Sequence, residues 1–467
     1  MQNAAAYGSL RARRDCVGMS LALYLLGNDL RLHDNRALAH ASKYDSLLIV
    51  YCVDPRWFVP NRFGLPSIGP HRWRFIKESL ADLASSLQKK SQHLFVEYGT
   101  VAGVAETLIP DLLPDVLLTS DTHGWYERKG LEEIQQRFPT LPLIFSSNAT
   151  LFSCDGTSWL SNDLPNQFTP FRKRAETQDV PHPLSGSNSL PPMPSKNLRS
   201  NRWSIPDANV LPHWAATSGE FQTPFTGGET SAENYLRSYF SSELPHSYKS
   251  TRNKLDGWHN SSKWSSWLAQ GCLSPRRVHG AIQNYEHKHG PSDSTYWLKF
   301  ELLWREYFHW LAIKLGKALF SFQGTAKHAP LTSFYPERYK RWCVGNTPSP
   351  LVNACMRELS TTGYISNRGR QITASYLVNE LEVDWRYGAA WFEHQLIDYD
   401  VGSNWGNWQY IAGVGADPRG GRHFNPDKQQ RQFDPDYRYV KRWLIHDYES
   451  TTPARIDSID AAGWPID

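Results

Sequence analysis

A chain of 467 residues, 40% hydrophobic and 21% charged, is too long for a single small module and too apolar for a disordered one, so it folds into two or three domains. Its 50 Lys and Arg against 46 Asp and Glu leave a net charge of +4, too small to name a polyanion partner but compatible with a local basic groove. The six cysteines, at 16, 52, 154, 272, 343 and 355, form no C-x-x-C pair and suggest neither a disulfide framework nor a zinc site; a cytoplasmic, reducing setting fits them, and no apolar run reaches the ~20 residues of a membrane helix.

Residues 1–18 carry Arg11, Arg13 and Arg14 without an apolar signal core and precede Met19, so they read as a disordered extension, with organelle targeting as the minor alternative. Short apolar runs predict strands at Leu21 to Leu26, Ser46 to Val53, Leu94 to Tyr98, Val116 to Thr119 and Leu143 to Phe145, with helices at His71 to Lys89 and Trp125 to Phe138. Strands alternating with helices predict an α/β domain over 19–150 on a doubly wound parallel sheet. No G-x-G-x-x-G follows the first strand, so it is not an ordinary dinucleotide unit. The stretch 151–229, punctuated by Pro181, Pro183, Pro191, Pro192, Pro194 and Pro206, reads as an interdomain linker on the surface. Residues 230–467 form a C-terminal all-α domain, and 13 of the 19 Trp lie after position 226.

Within Tyr296 to Gly316, spacings of three and four place Glu301, Trp304, Arg305 and Phe308 on one helical face. A core helix with an i,i+4 ion pair between Glu301 and Arg305 is one reading; an acid within an aromatic face is costly to bury unpaired, which favours a ligand site. Farther on, Asp398 and Asp400 precede a Gly/Asn-rich turn flanked by Trp405 and Trp408. No third acidic or His ligand stands at metal spacing, so no metal is expected, and an ion pair between Arg370 and Asp398 lining a cavity is the better account.

Six segments, N-D-L-R-L-H-D-N at 28–35, Y-K-S-T-R-N at 248–253, S-S-K-W-S at 261–265, E-L-L-W-R-E at 301–306, S-N-R-G-R-Q at 366–371 and D-Y-D-V-G-S-N-W-G-N-W at 398–408, together resemble the photolyase/cryptochrome family over nearly everything from 20 to 445. G-G-E-T-S-A at 227–232 and several of the same segments are similar to its DASH cryptochrome branch.

The resemblance implies a U-shaped FAD in the helical domain, with Tyr248, Ser261, Ser262, Lys263, Trp264 and Ser265 around its phosphates and ribityl chain. It places Glu301, Trp304 and Arg305 beside adenine and substrate, pairs Arg370 with Asp398, gives the flavin N3 hydrogen to Asp400, and sets Asn404 beside N5, where a neutral amide favours the reduced cofactor. It further implies a blue-light-dependent carbon–carbon lyase that splits a flipped-out cyclobutane pyrimidine dimer. Glu301, Asn367 and Gln371 would meet the dimer's polar edges, Trp304 and Tyr410 would clamp it, and Arg252 and Arg368 would hold flanking phosphates. Gln371 and Tyr410 stand where duplex-repairing members carry Met and Trp. Single-stranded DNA is therefore the expected substrate, with RNA also admitted and a monomer expected.

Trp408 and Trp385 fall at the first two places of the family's tryptophan relay, but the third place falls at Thr332, leaving Tyr335, Trp342 or Tyr364 as stand-ins; core packing is the plain alternative for both tryptophans. An antenna methenyltetrahydrofolate is expected, with Glu127 as its contact. The alternative function is a signalling blue-light photoreceptor that binds nucleic acid without repair, disfavoured by the roughly twenty residues after Trp443. A redox flavoprotein without DNA fits the Arg252, Glu301, Trp304 set poorly.

Overall fold

Aliphatic runs form a five-stranded parallel sheet: β1 (Leu21–Leu26), β2 (Ser46–Val53), β3 (Leu94–Tyr98), β4 (Val116–Ser120) and β5 (Leu143–Ser146), in the spatial order β3-β2-β1-β4-β5. β1, β2 and β4 are buried at every residue, as strands covered on both faces must be. The covering helices are α1 (Pro70–Gln88), α2 (Val101–Leu112) and α3 (Trp125–Arg137). Proline suits the first turn of α1, where its missing N–H has no intrahelical partner to lose. The computed structural model describes residues 19–153, 157–186, 189–194, 211–216, 223–415 and 421–444. The expected extension 1–18, Pro206 and the segment after Leu444 lie outside the described residues.

The stretch 151–229 is not simply a surface linker. Leu151, Phe152, Trp159, Leu160, Leu164 and Phe171 are buried, and α4 (Phe168–Ala175) packs on the helix Asp293–Leu315, the longest among the described residues. Two helical turns are too short a run for apolar periodicity to reveal. From residue 230 onward the described residues hold helices and one isolated bridge, Ser333 to Val383. Those that build the site are α5 (Leu244–Thr251), α6 (Pro275–His289), α7 (Asp293–Leu315), α8 (Pro350–Thr362), α9 (Asn367–Asn379), α10 (Trp385–Gln395) and α11 (Val401–Ile411). A reciprocal capping box between Ser292 and Thr295 starts α7; Ser366, Asp384 and Asp400 cap α9, α10 and α11 through their side chains.

The strand order reverses between β1 and β4, and the crevice beyond such a switch point is a common ligand site in open α/β sheets. Here the helical domain fills it. The Leu30 N–H donates to Gln270 O at 3.3 Å, and Gly271, at φ +68°, comes so close to the Asn28 carbonyl that a Cβ would collide with it. Arg31 donates to four carbonyls, of His33, Asp34, Asn148 and Gly271, at 2.7 to 3.0 Å. Arg276 Nε lies 3.0 Å from Asp34 Oδ2, both side chains fully buried, and its other nitrogens donate to Thr150 and Ser147 carbonyls. The segment 28–35 is thus the joint between the two domains.

Burial alone raises an aspartate's pKa, but the Arg276 charge, the Ser274 hydroxyl and the Leu184 N–H outweigh it and hold Asp34 below its usual value. Arg276→Met leaves that carboxylate buried and uncompensated and is expected to cost about 3–5 kcal/mol at neutral pH, read from the denaturant midpoint. The contribution of the ionised Asp34 is complete above the unfolded value of about 3.9 and lost as pH falls through the lower folded one, so the gap between variant and wild type should narrow in acid.

Candidate functional site

Asp400 begins α11, and its Oδ1 accepts the Ser403 N–H at 2.7 Å as a helix cap. That aims Oδ2 inward, to His309 Nε2 of α7 at 2.9 Å and to His123 Nε2, in the loop after β4, at 2.7 Å. The two imidazoles stack with centroids 3.6 Å apart at 18°. The expectation that no histidine accompanies Asp400 is therefore corrected, since both arrive from distant segments. The three donor atoms lie within 4.8 Å of one another. His309 Nε2 is hydrogen-bonded to the shared oxygen, whereas His123 Nε2 stands close to it without hydrogen-bond alignment. Burial pushes His309 down to about 3, so it is neutral and donates; Asp400, against the upward pull of its own burial, is held well below the usual carboxylate range by the two imidazoles beside it.

Arg370 of α9 reaches Asp398 Oδ2 at 2.8 Å, the expected pair. The other oxygen, Asp398 Oδ1, is buried with no protein partner. Next to this pair, Tyr364 carries Arg370 5.2 Å from its ring centroid and Lys263 4.6 Å from it. Lys263 is buried at φ +57°, a left-handed turn that side chains rarely adopt, and it directs the loop 261–265 toward these rings. Ser261 and Ser262 are half-buried and Ser265 exposed at the start of a short helix, while the Trp264 indole turns into the core against Tyr239 and Phe240, leaving only its backbone to the loop. The buried Tyr248 of α5 stands near Glu301, Arg252 and Tyr364. Asn404 donates its amide nitrogen to Ala389 O at 3.0 Å; only an N–H can do so, so its carbonyl oxygen is the end left for a donor.

Glu301 does not pair with Arg305. It meets Arg252 at 2.6 Å, while Arg305 donates to the Ala149 and Leu268 carbonyls. Burial raises the Glu301 pKa and Arg252 opposes it, in a recess that still leaves a third of the carboxylate side chain open to solvent. Arg252 also lies over Trp297 at 4.6 Å. Trp304 stands edge-on to Tyr410 with centroids 6.3 Å apart, and Phe168 of α4 stacks on the Trp304 indole at 3.6 Å and 9°. Arg422 donates to the Tyr410 hydroxyl and lies 5.0 Å from its ring centroid. Asn367 is exposed and Gln371 half-buried one turn later, and Arg368 donates to Asn253 at 3.1 Å and packs on Phe433.

Trp408 and Trp385 are both buried. Trp408 packs on α10 where Gly388 leaves room, and Trp385 is the first residue of that helix. Of the three stand-ins, Trp342 lies 6.2 Å from Trp408, whereas Tyr364 sits among the cofactor-side cations and Tyr335 beside Arg338. Glu127 is exposed and folds back over Gly124, and its charge acts on Arg72 of α1 and, across the domain boundary, on Glu393 of α10. Sequence reading missed His123, His309, Phe168 and Arg422. Phe168 lies in the stretch taken for linker, and no local pattern marks the others.

An unpartnered buried carboxylate oxygen, a free amide carbonyl, and hydroxyls with an ammonium at a helix start are what a dinucleotide carrying ring N–H groups and phosphates needs, so these residues fit FAD. Residues 22–190 match the family model of DNA photolyase, and residues 297–454 that of the FAD binding domain of DNA photolyase. Cryptochrome DASH of Idiomarina loihiensis is 46% identical over 96% of both chains, and that of Vibrio parahaemolyticus 44% identical over 96% of this chain and 97% of its own. The solved Synechocystis cryptochrome superposes with a TM-score of 0.86 at 36% identity, covering 92% of this chain and 89% of its own; a class III photolyase from Agrobacterium tumefaciens gives 0.79 at 28%, covering 92% and 87%. The chain belongs to the photolyase/cryptochrome family, with its FAD-binding domain and with relatives named cryptochrome DASH along nearly its whole length.

Proposed function

We propose that the protein is a light-dependent lyase that splits cyclobutane pyrimidine dimers in single-stranded or looped DNA. The observation that carries this reading is the aromatic pair at the site's mouth: Phe168 covers one face of Trp304, and the second platform is a phenol, Tyr410, held edge-on to it. Base–aromatic stacking contributes about 1–3 kcal/mol per base. With at most one indole face and one phenol to offer, the pocket offsets too little of the few kcal/mol needed to unstack a dimer from a duplex.

Bound FAD supplies light absorption and the single electron that opens and then leaves the dimer. The chain's residues do the rest. Glu301 stands at the dimer's polar edge, and Arg252, 2.6 Å from it, brings a positive charge to the pyrimidine carbonyls, where negative charge develops. Gln371 and Asn367 add amide contacts, and Arg368 receives a flanking phosphate. Asp398 and Asn404 present acceptors to the cofactor's ring, the Asp400 carboxylate is fixed for its N3 edge by the two imidazoles, and the 261–265 loop receives the phosphates. Methenyltetrahydrofolate would sit at Glu127, between the domains. A cytoplasmic monomer completes the reading, and no helix among the described residues is long and apolar enough to cross a membrane.

Light-driven assays on one dimer in a single strand, a bubble and an intact duplex should give efficient repair of the first two and poor repair of the third. Equal rates on all three refute the pocket argument, and no repair on any moves the protein to photoreception without repair. Asp398→Ala should fold, because Arg370 is a quarter exposed and can find water, yet lose most of its FAD; full flavin absorbance per chain would remove Asp398 from the cofactor site. Trp408→Phe should abolish rapid photoreduction of the oxidised cofactor while chemically reduced enzyme still repairs. Photoreduction at the wild-type rate would mean that electrons arrive elsewhere.

A further inference from the structure

Outward from Trp385, the structure opens where the family's relay would continue. The Trp385 indole is fully buried and donates its N–H to the Phe322 carbonyl at 3.0 Å. Phe322 in turn lines a surface cavity of about 390 Å³, set apart from the cofactor-site residues, together with Arg62, Phe63, Thr332, Phe334 and Tyr387. Thr332 occupies the position of the third tryptophan, and its hydroxyl oxygen is shielded from solvent without a hydrogen-bond partner. The wall that carries it is pinned in place: Ser333 N donates to Glu382 O at 3.0 Å and Asp384 N to Ser333 O at 2.7 Å.

The lining has a definite chemical character. Phe334 and Tyr387 stack at 3.9 Å and 15°, and Phe63 meets Tyr387 edge-on at 5.2 Å, giving flat apolar surfaces. Arg386 is neutralised by Asp384 at 2.7 Å and lies over Phe322. Arg62 has no acidic partner among the described residues; it lies over Phe63 at 4.8 Å and makes one long contact, 3.4 Å, to the Phe320 carbonyl. One uncompensated guanidinium, one unsatisfied hydroxyl and flat aromatic walls suit a small, planar, singly charged anion that carries hydroxyl groups.

We propose that this cavity binds an ene-diol monoanion of the ascorbate class, which replaces the missing third tryptophan as terminal electron donor. The inference rests on the reading of Trp408 and Trp385 as an electron relay. After light has moved an electron inward from Trp408 and the vacancy has passed to Trp385, the bound monoanion gives up one electron and one proton. The electron restores Trp385, the proton leaves to water at the cavity mouth, and the oxidised ligand departs as its radical anion. Because the Trp385 indole is bonded to the carbonyl of Phe322, a residue of the cavity wall, no further side-chain radical is required.

The test combines binding in the dark with photoreduction. Ascorbate bound to the dark holoprotein is measured by equilibrium dialysis for the wild type, T332W, which fills the cavity, and R62S, which removes the charge. Flavin content and circular dichroism establish that both variants are folded. Saturable binding to the wild type, weakened about tenfold or more in both variants, is expected, roughly a 1.4 kcal/mol loss each. Photoreduction of the wild type should saturate with ascorbate at the same concentration, while T332W should photoreduce without that dependence. Absence of saturable dark binding, or binding untouched by T332W, overturns the site. Wild-type photoreduction by W385F would instead overturn the relay reading and with it the donor role, while the binding site itself is judged by the independent dark-binding arm.

Discussion

Everything in the site hangs on one buried ion pair and the arginine beside it. Asp34 and Arg276 are both inaccessible to solvent, and desolvating two charges is repaid only when every remaining donor finds an acceptor. Arg276 does so through the Thr150 and Ser147 carbonyls, and Arg31 through four more, so the sheet's C-terminal edge and the start of α6 have a single compatible arrangement. That arrangement plugs the sheet's switch-point crevice with Gln270 and Gly271. It closes the place where an open α/β sheet commonly takes its ligand.

The same docking delivers His123 to Asp400. A carboxylate at the start of a helix would ordinarily be solvated; this one is 7% exposed and depends for its hydration on two imidazoles, one from each domain. Burial keeps His309 neutral, so its N–H meets the carboxylate as a dipole. Asp398 is satisfied differently: one oxygen on Arg370 and one left bare. Two aspartates two residues apart thus have unlike roles because one caps a helix between histidines and the other faces a guanidinium.

Much of this was legible in the sequence. The strand edges are right to within a residue, because fully buried β-branched and leucine runs bounded by polar turns have few alternative readings. Arg370 with Asp398 was also expected, since the two segments carry motifs whose order and spacing are specific. What was not legible were the contacts across long separations that no motif announces. Glu301 chose Arg252 over its helical neighbour Arg305, because Arg305 is consumed by carbonyls of the Ala149 and Leu268 loops. Phe168, on an eight-residue helix in a proline-punctuated stretch, gave no periodic pattern at all, yet it stacks on the face of Trp304.

The aromatic neighbourhood of Trp408 raises a final question of routing. Beyond the path along α10 to Trp385, Trp408 touches Trp342 at 6.2 Å, and Trp342 lies 6.4 Å from Tyr339 at 22°. Distance alone would let electrons enter by that branch. Tyrosine, however, must shed its phenolic proton when it is oxidised at neutral pH. Burial drives the Tyr339 pKa far upward, and its hydroxyl donates at 3.3 Å to the Tyr387 carbonyl, which cannot take the proton. Trp342 is itself fully buried, so a vacancy reaching it has no base to stabilise it and no solvent-borne donor to refill it. On the proposed relay the branch is therefore a cul-de-sac energetically although it is continuous geometrically, and the cavity beside Trp385 is where a donor from solution would enter.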